Sequence, residues 1–117
     1  MTTVVPLTPR EHAAPLVCEP LGKGAVISDR EARDLALHLK ALGEPTRLKI
    51  VTYLLSEPGH EACICDLAPM VGLTDATVNH HLKTLAAAGI VTKQRRGMNV
   101  HYAVVPDAIR AIARVLT

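Results

Sequence analysis

A chain of 117 residues with a formal net charge of +2 fits one domain and, on charge alone, neither demands nor forbids a polyanionic partner. Aromatic side chains make up only 2% of it, Tyr53 and Tyr102, so the core must be aliphatic, and the stacking platforms that single-stranded nucleic acid needs are missing. No run approaches the roughly 18 apolar residues of a membrane span, and Pro6, Pro9 and Pro15 interrupt the start where a secretory signal would lie. The expectation is a cytoplasmic protein whose three cysteines are working thiols and not a disulfide framework.

Residues 1–27 carry Pro and Gly at short intervals and sustain no period, which predicts a flexible arm that includes Cys18. Residues 28–117 read as one folded unit. Ser28 stands where it can cap a first helix, with Asp29 and Glu31 in the first turn. Ala32, Leu35, Ala36, Leu39 and Leu42 recur at helical spacing, and Gly43 ends the run. Pro45 opens a second helix at a position where a missing N–H costs nothing. Leu48, Val51, Leu54 and Leu55 are its predicted buried face, and Pro58-Gly59 its stop. Cys63 to Val71 reads as a short third helix closed by Gly72. Thr74 caps a fourth, its hydroxyl accepting from the Thr77 N–H. Val78, Leu82 and Leu85 point inward there; Thr77, Asn79, His80, Lys83 and Thr84 lie mostly on the other side, and Gly89 terminates the helix. Two β-prone runs, 90–95 and 99–105, flank Arg96-Gly97-Met98 as a hairpin with a basic tip. Pro106 starts a last helix with Ile109, Ile112, Ala113 and Leu116 on one face. The fold class is mainly α with a small β-hairpin wing: four helices, the hairpin, then a closing helix.

The third helix, the turn at Gly72-Leu73 and the fourth helix have the form of a helix-turn-helix. A major groove admits one α-helix, whose N-terminal side chains reach base edges. Thr74, Asp75, Thr77, Asn79, His80 and Lys83 occupy that part of the fourth helix. On the hairpin, Lys93, Arg95 and Arg96 can neutralise phosphates of double-stranded DNA, and Asn99 can add a hydrogen bond. The same pattern also fits a plain αα-hairpin with a solvated face and a surface ribbon. His80 and His81 are adjacent, hence about 100° apart on a helix, and poorly placed to share an ion.

Cys63 and Cys65 stand at i and i+2. On a regular helix their side chains diverge by about 200°; on extended backbone they point the same way. Joint ligation therefore requires the start of the third helix to be distorted. A helix N-terminus lowers a thiol's pKa, and thiolates select soft ions. Trivalent arsenic or antimony takes three thiolates, and Cys18 is the remaining cysteine, able to close the site from its own chain or from a second subunit. Small buried hydrophobes are the competing reading of these cysteines. A thiol-redox switch is a further alternative, although no nucleophile, base and orienter set for an enzyme is visible.

These segments together resemble the ArsR/SmtB family of metalloregulatory repressors. The matching stretches are Leu39-Lys40-Ala41-Leu42-Gly43-Glu44-Pro45-Thr46-Arg47-Leu48-Lys49-Ile50, Cys63-Ile64-Cys65-Asp66-Leu67, Thr77-Val78-Asn79-His80-His81-Leu82, Gly89-Ile90-Val91 and Arg96 to Tyr102. The resemblance covers residue 29 onward. It implies a homodimeric winged helix-turn-helix joined through its first and last helices, with 28–117 as the DNA-binding and dimerisation domain. It further implies operator binding without metal and release on metal binding. Its Cys-x-Cys motif, here Cys63 and Cys65, carries arsenic, antimony, cadmium or lead according to the member. Cadmium- and lead-sensing members add N-terminal cysteines, which leaves Cys18 as a candidate ligand. With cadmium, lead or zinc, His12 or His60 is a candidate nitrogen donor. The zinc and nickel site of the last helix is excluded, because the helix after Pro106 offers Asp107 but no His. Asn79 stands where many members carry Ser.

Overall fold

The computed structural model describes residues 26–117; residues 1–25 of the expected arm, with Cys18 and His12, lie outside the described residues. Helix α1 (Asp29–Leu42) starts at a reciprocal cap. The Ser28 hydroxyl accepts from the Glu31 N–H at 3.1 Å, and the Ser28 N–H donates to the Glu31 carboxylate at 3.1 Å, an arrangement worth about 1 kcal/mol. Gly43 ends α1 without the left-handed conformation expected of a terminal glycine: its φ is −79°. Close approach is the reason for glycine here, since a Cβ would lie 3.2 Å from the Leu39 carbonyl oxygen.

Helix α2 (Pro45–Ser56) is capped by the Glu44 carboxylate, which accepts from the Arg47 N–H at 2.8 Å. Its inward stripe runs through Ile50, Val51 and Leu54. Leu48, expected inside, is 49% exposed, because the stripe continues one turn back to Arg47 and not to Leu48. A 3₁₀ turn (Pro58–His60) leads into β1 (Glu61–Cys63), then α3 (Ile64–Val71) and α4 (Asp75–Ala87). Strands β2 (Val91–Arg96) and β3 (Asn99–Val104) and helix α5 (Pro106–Leu116) complete the chain. Pro69 lies inside α3. It has no N–H to offer the Cys65 carbonyl four residues back, and its ring crowds that oxygen.

The sheet is antiparallel in the order β1-β3-β2. β1 is an addition to the two strands legible in the sequence. Its pairs are Ala62 with Tyr102 and Cys63 with His101. β2 and β3 join through Gly97-Met98, with Gly97 at φ 64°, a two-residue hairpin turn with glycine first.

Ile50, Leu54, Leu67, Val78, Leu82, Leu85 and Ile90 have no exposed surface, and Tyr102 is the largest fully buried side chain. Each such aliphatic contributes roughly 1.5–3 kcal/mol of burial. The α1 stripe does not join this core as the periodicity predicts. Leu35 is buried, but Ala32, Ala36 and Leu39 are exposed, and with Ile112, Val115 and Leu116 they line an open apolar groove between α1 and α5. Among the described residues no helix is long and apolar enough to cross a membrane.

Candidate nucleic-acid interface and thiol pair

The turn between α3 and α4 is built by Gly72 and Thr74. Gly72 sits at φ 72°, and its N–H donates to the Ala68 carbonyl at 2.9 Å, closing α3. The Thr74 hydroxyl accepts from the Thr77 N–H at 3.2 Å and caps α4. Val78, Leu82 and Leu85 anchor α4 in the core, as their spacing predicts. Thr74, Asp75, Thr77, His80 and Lys83 stand exposed along the free side; Asn79 is half-buried. The His80 and His81 rings are 6.0 Å apart and tilted by 59°, consistent with divergent directions. His81 turns inward, where its Nδ1 meets the Arg47 guanidinium.

Lys93, Arg95, Arg96 and Asn99 are all exposed on the wing, but they do not form one basic tip. Successive strand residues face opposite sides. Lys93 lines a shallow cleft with Asp75, Ala76 and Asn79 of α4, and Arg95 shares its face by register. Arg96 lies on the reverse face, where it donates to the Glu61 carboxylate at 2.7 Å and to the Gln94 side-chain oxygen at 3.0 Å. The Glu61 partner comes from β1, a strand too short to register in the sequence.

The thiols sit at the β1–α3 junction. Cys63 is the last residue of β1 and the N-cap of α3, with extended backbone at φ −80° and ψ 149°. The expectation that it opens the helix is corrected accordingly: Ile64 does. Its sulfur accepts from the Cys65 N–H at 3.1 Å. Extended backbone at the first of the two residues resolves the conflict of directions, and the two sulfurs converge. The two sulfurs are in direct contact, with Cα atoms 5.1 Å apart. Cys63 is buried and Cys65 exposed. Ile64, between them, lines the same cleft of about 320 Å³ as Asp75, Asn79, Lys93 and Val100. His101 stands opposite Cys63, with Nδ1 buried and no hydrogen-bond partner among the described residues.

Among the described residues no three His, Cys, Asp or Glu side chains gather into a cluster able to hold an ion. The pair thus supplies two sulfur donors, and a third donor must come from outside it. Cys18, the expected third, lies outside the described residues. His60 is exposed, its Nδ1 3.1 Å from the Leu55 carbonyl oxygen. Asp107 pairs with Arg110.

The family model for bacterial regulatory proteins of the arsR family matches residues 44–93, from the α2 cap into the wing. The cadmium resistance transcriptional regulatory protein CadC homolog of Staphylococcus aureus is 34% identical over 86 residues, 74% of this chain and 69% of that protein. The crystal structure of the AntR antimony-specific transcriptional repressor is 32% identical, with a TM-score of 0.65 over 82% of this chain and 86% of that one. The homodimeric winged helix-turn-helix DNA-binding domain Mb0332 from Mycobacterium bovis is 29% identical, with a TM-score of 0.62 over 78% of this chain and 85% of that one. Sequence, fold and the exposed capped helix beside a wing agree, and the chain belongs to the arsR family: a winged helix-turn-helix transcriptional regulator, not an enzyme.

Proposed function

We propose that this regulator is a cytoplasmic homodimeric repressor that holds operator DNA and releases it when Cys63 and Cys65 take up trivalent arsenic or antimony. The observation that carries the reading is the convergence of both sulfurs at a helix cap, with Ile64 between them lining one cleft with Asp75 and Asn79 of α4 and Lys93 of the wing. A soft trivalent ion, when bound, bridges thiolates. Cys63 and Cys65 furnish two of them, and Cys18 is the candidate for the third. A change in the backbone from Cys63 to Cys65 moves Ile64 at the wall of the cleft it shares with Asp75 and Asn79, and α3 packs on α4, the reading helix. Thr74, Asp75, Thr77, Asn79, His80 and Lys83 face the major groove in this reading. Lys93, Arg95, Arg96 and Asn99 face phosphates.

The coupling is reciprocal: operator DNA weakens ion uptake by the factor by which the ion weakens DNA binding. The decisive measurement is release of labelled operator from the reduced protein, titrated with arsenite, antimonite, cadmium, lead and zinc in parallel. Arsenite and antimonite are expected to release it, and Cys63→Ser and Cys65→Ser to bind the operator normally yet stay bound. Release by cadmium, lead or zinc alone replaces the ion class, as in the cadmium-named relative. Normal release from either variant removes the thiols from the mechanism.

The closeness of the Cys63 and Cys65 sulfurs also supports a second reading, a redox switch on the same pair. Protein mass after peroxide and after arsenite separates the two: loss of two hydrogens in one case, a retained ion in the other.

A further inference from the structure

The side chains that root α4 in the core, Val78, Leu82 and Leu85, are aliphatic. Such contacts hold a helix down, but the burial that drives them is non-directional. One polar contact is directional, and it spans three helices. Arg47, in the first turn of α2, donates through Nε to the Ala41 carbonyl near the end of α1 at 2.6 Å. Its Nη1 lies 3.4 Å from Nδ1 of His81 on α4. A guanidinium carries only donors, so Nδ1 accepts and the ring's proton sits on Nε2. At 3.9 Å from Glu44 the same Nδ1 is beyond hydrogen-bond reach of that carboxylate, so the contact with Arg47 is the interaction that orients His81. Glu44 instead holds the backbone of Arg47 through its N–H at 2.8 Å. The His81 side chain is 14% exposed and so partly shielded. Beside this tie, Lys40, Ala41, Arg47, Thr84 and Ala87 border a groove of about 230 Å³, where α1 and α4 do not close on each other.

We propose that Arg47 and His81 are positioning residues that fix the angle of the reading helix to α1 and so set the separation of the two half-sites a dimer accepts. This rests on the homodimeric, DNA-binding reading above. In that dimer α1 belongs to the shared face and α4 to the groove, so the α1–α4 angle in each subunit determines the distance between the two reading helices. Lysine cannot replace Arg47, because a single ammonium does not span a carbonyl and an imidazole as a planar fork does.

The test uses the reduced full chain and the duplex it selects from a random-sequence pool, alongside the same duplex with one base pair inserted or removed between half-sites. Wild type is expected to prefer the selected spacing. His81→Ala and Arg47→Lys are expected to weaken that duplex by about tenfold, one hydrogen bond lost in each of two subunits, while the altered duplexes bind as before. The spacing preference then collapses. His81→Asn, whose Oδ1 takes the place of Nδ1 and accepts from Arg47, restores it. Circular dichroism, dimer mass and arsenite uptake stay at wild-type values. An equal loss on every duplex, or an unchanged preference, overturns the assignment. If wild type selects no duplex at all, the homodimeric repressor reading fails first, and its failure is distinct from that of the tie.

Discussion

At the scale of single residues, Arg96 shows how a charge on the wing is already spoken for. Its guanidinium bonds Glu61 at 2.7 Å and Gln94 at 3.0 Å, so any phosphate contact competes with a partner of opposite sign. The Arg96 side chain is 51% exposed, and such a pair is worth at most about 1 kcal/mol to stability. Its larger effect is expected on DNA binding. Arg96→Ala is expected to reduce the slope of log affinity against log salt by about 0.9, one phosphate contact. Glu61→Gln is expected to do the opposite, raising affinity at low salt with little change in melting temperature. Titrations of the selected duplex between low and moderate salt read both; identical slopes for all three proteins take Arg96 off the contact surface. Nothing near Arg96 in sequence signals Glu61, because the two meet only through a pairing across 35 positions.

At the scale of elements, the helices were legible because each carries its own boundary chemistry. Ser28 with Glu31, Pro45, Thr74 with Thr77, and Pro106 all act where local rules put them. Strand β1 was not legible. Three residues show no alternation, and the strand exists because β3 offers it a pairing edge. The same missing strand hid the answer at the thiols, since an extended Cys63 is what lets two sulfurs at i and i+2 meet. In α2 a hydrophobic pattern assigns to Leu48 the inward position that Arg47 fills. The turn makes a sharp prediction. A Cβ on Gly72 meets nothing within 4 Å, so space is free, but its φ of 72° strains any other residue. Gly72→Ala is expected to cost about 1–2 kcal/mol, and Gly72→Asn less. Urea unfolding should show a lower midpoint at unchanged slope; equal stability of wild type and Gly72→Ala refutes the strain.

At the scale of the whole molecule, the conspicuous feature is the groove between α1 and α5. Leu39 is 43% exposed and Leu116 65%, on helices whose apolar stripes are complete in sequence yet uncovered in a single chain. The helical period made those stripes readable, but a period cannot say whether a stripe meets its own core or a second copy. In the proposed homodimer a symmetric partner covers both at once. Leu39→Glu combined with Ile112→Glu is expected to yield a folded monomer by sedimentation, with operator affinity reduced at least about a hundredfold as the two half-sites lose their shared anchor. A double variant that remains dimeric moves the interface elsewhere. Cys63 is at once the end of an edge strand, the cap of a helix and half of the sulfur pair. Serine satisfies the first two roles, since its oxygen caps a helix at least as well. If the proposed thiol switch holds, the regulator is therefore one oxygen-for-sulfur exchange away from deafness, keeping its genes shut in the presence of the poison with its architecture intact.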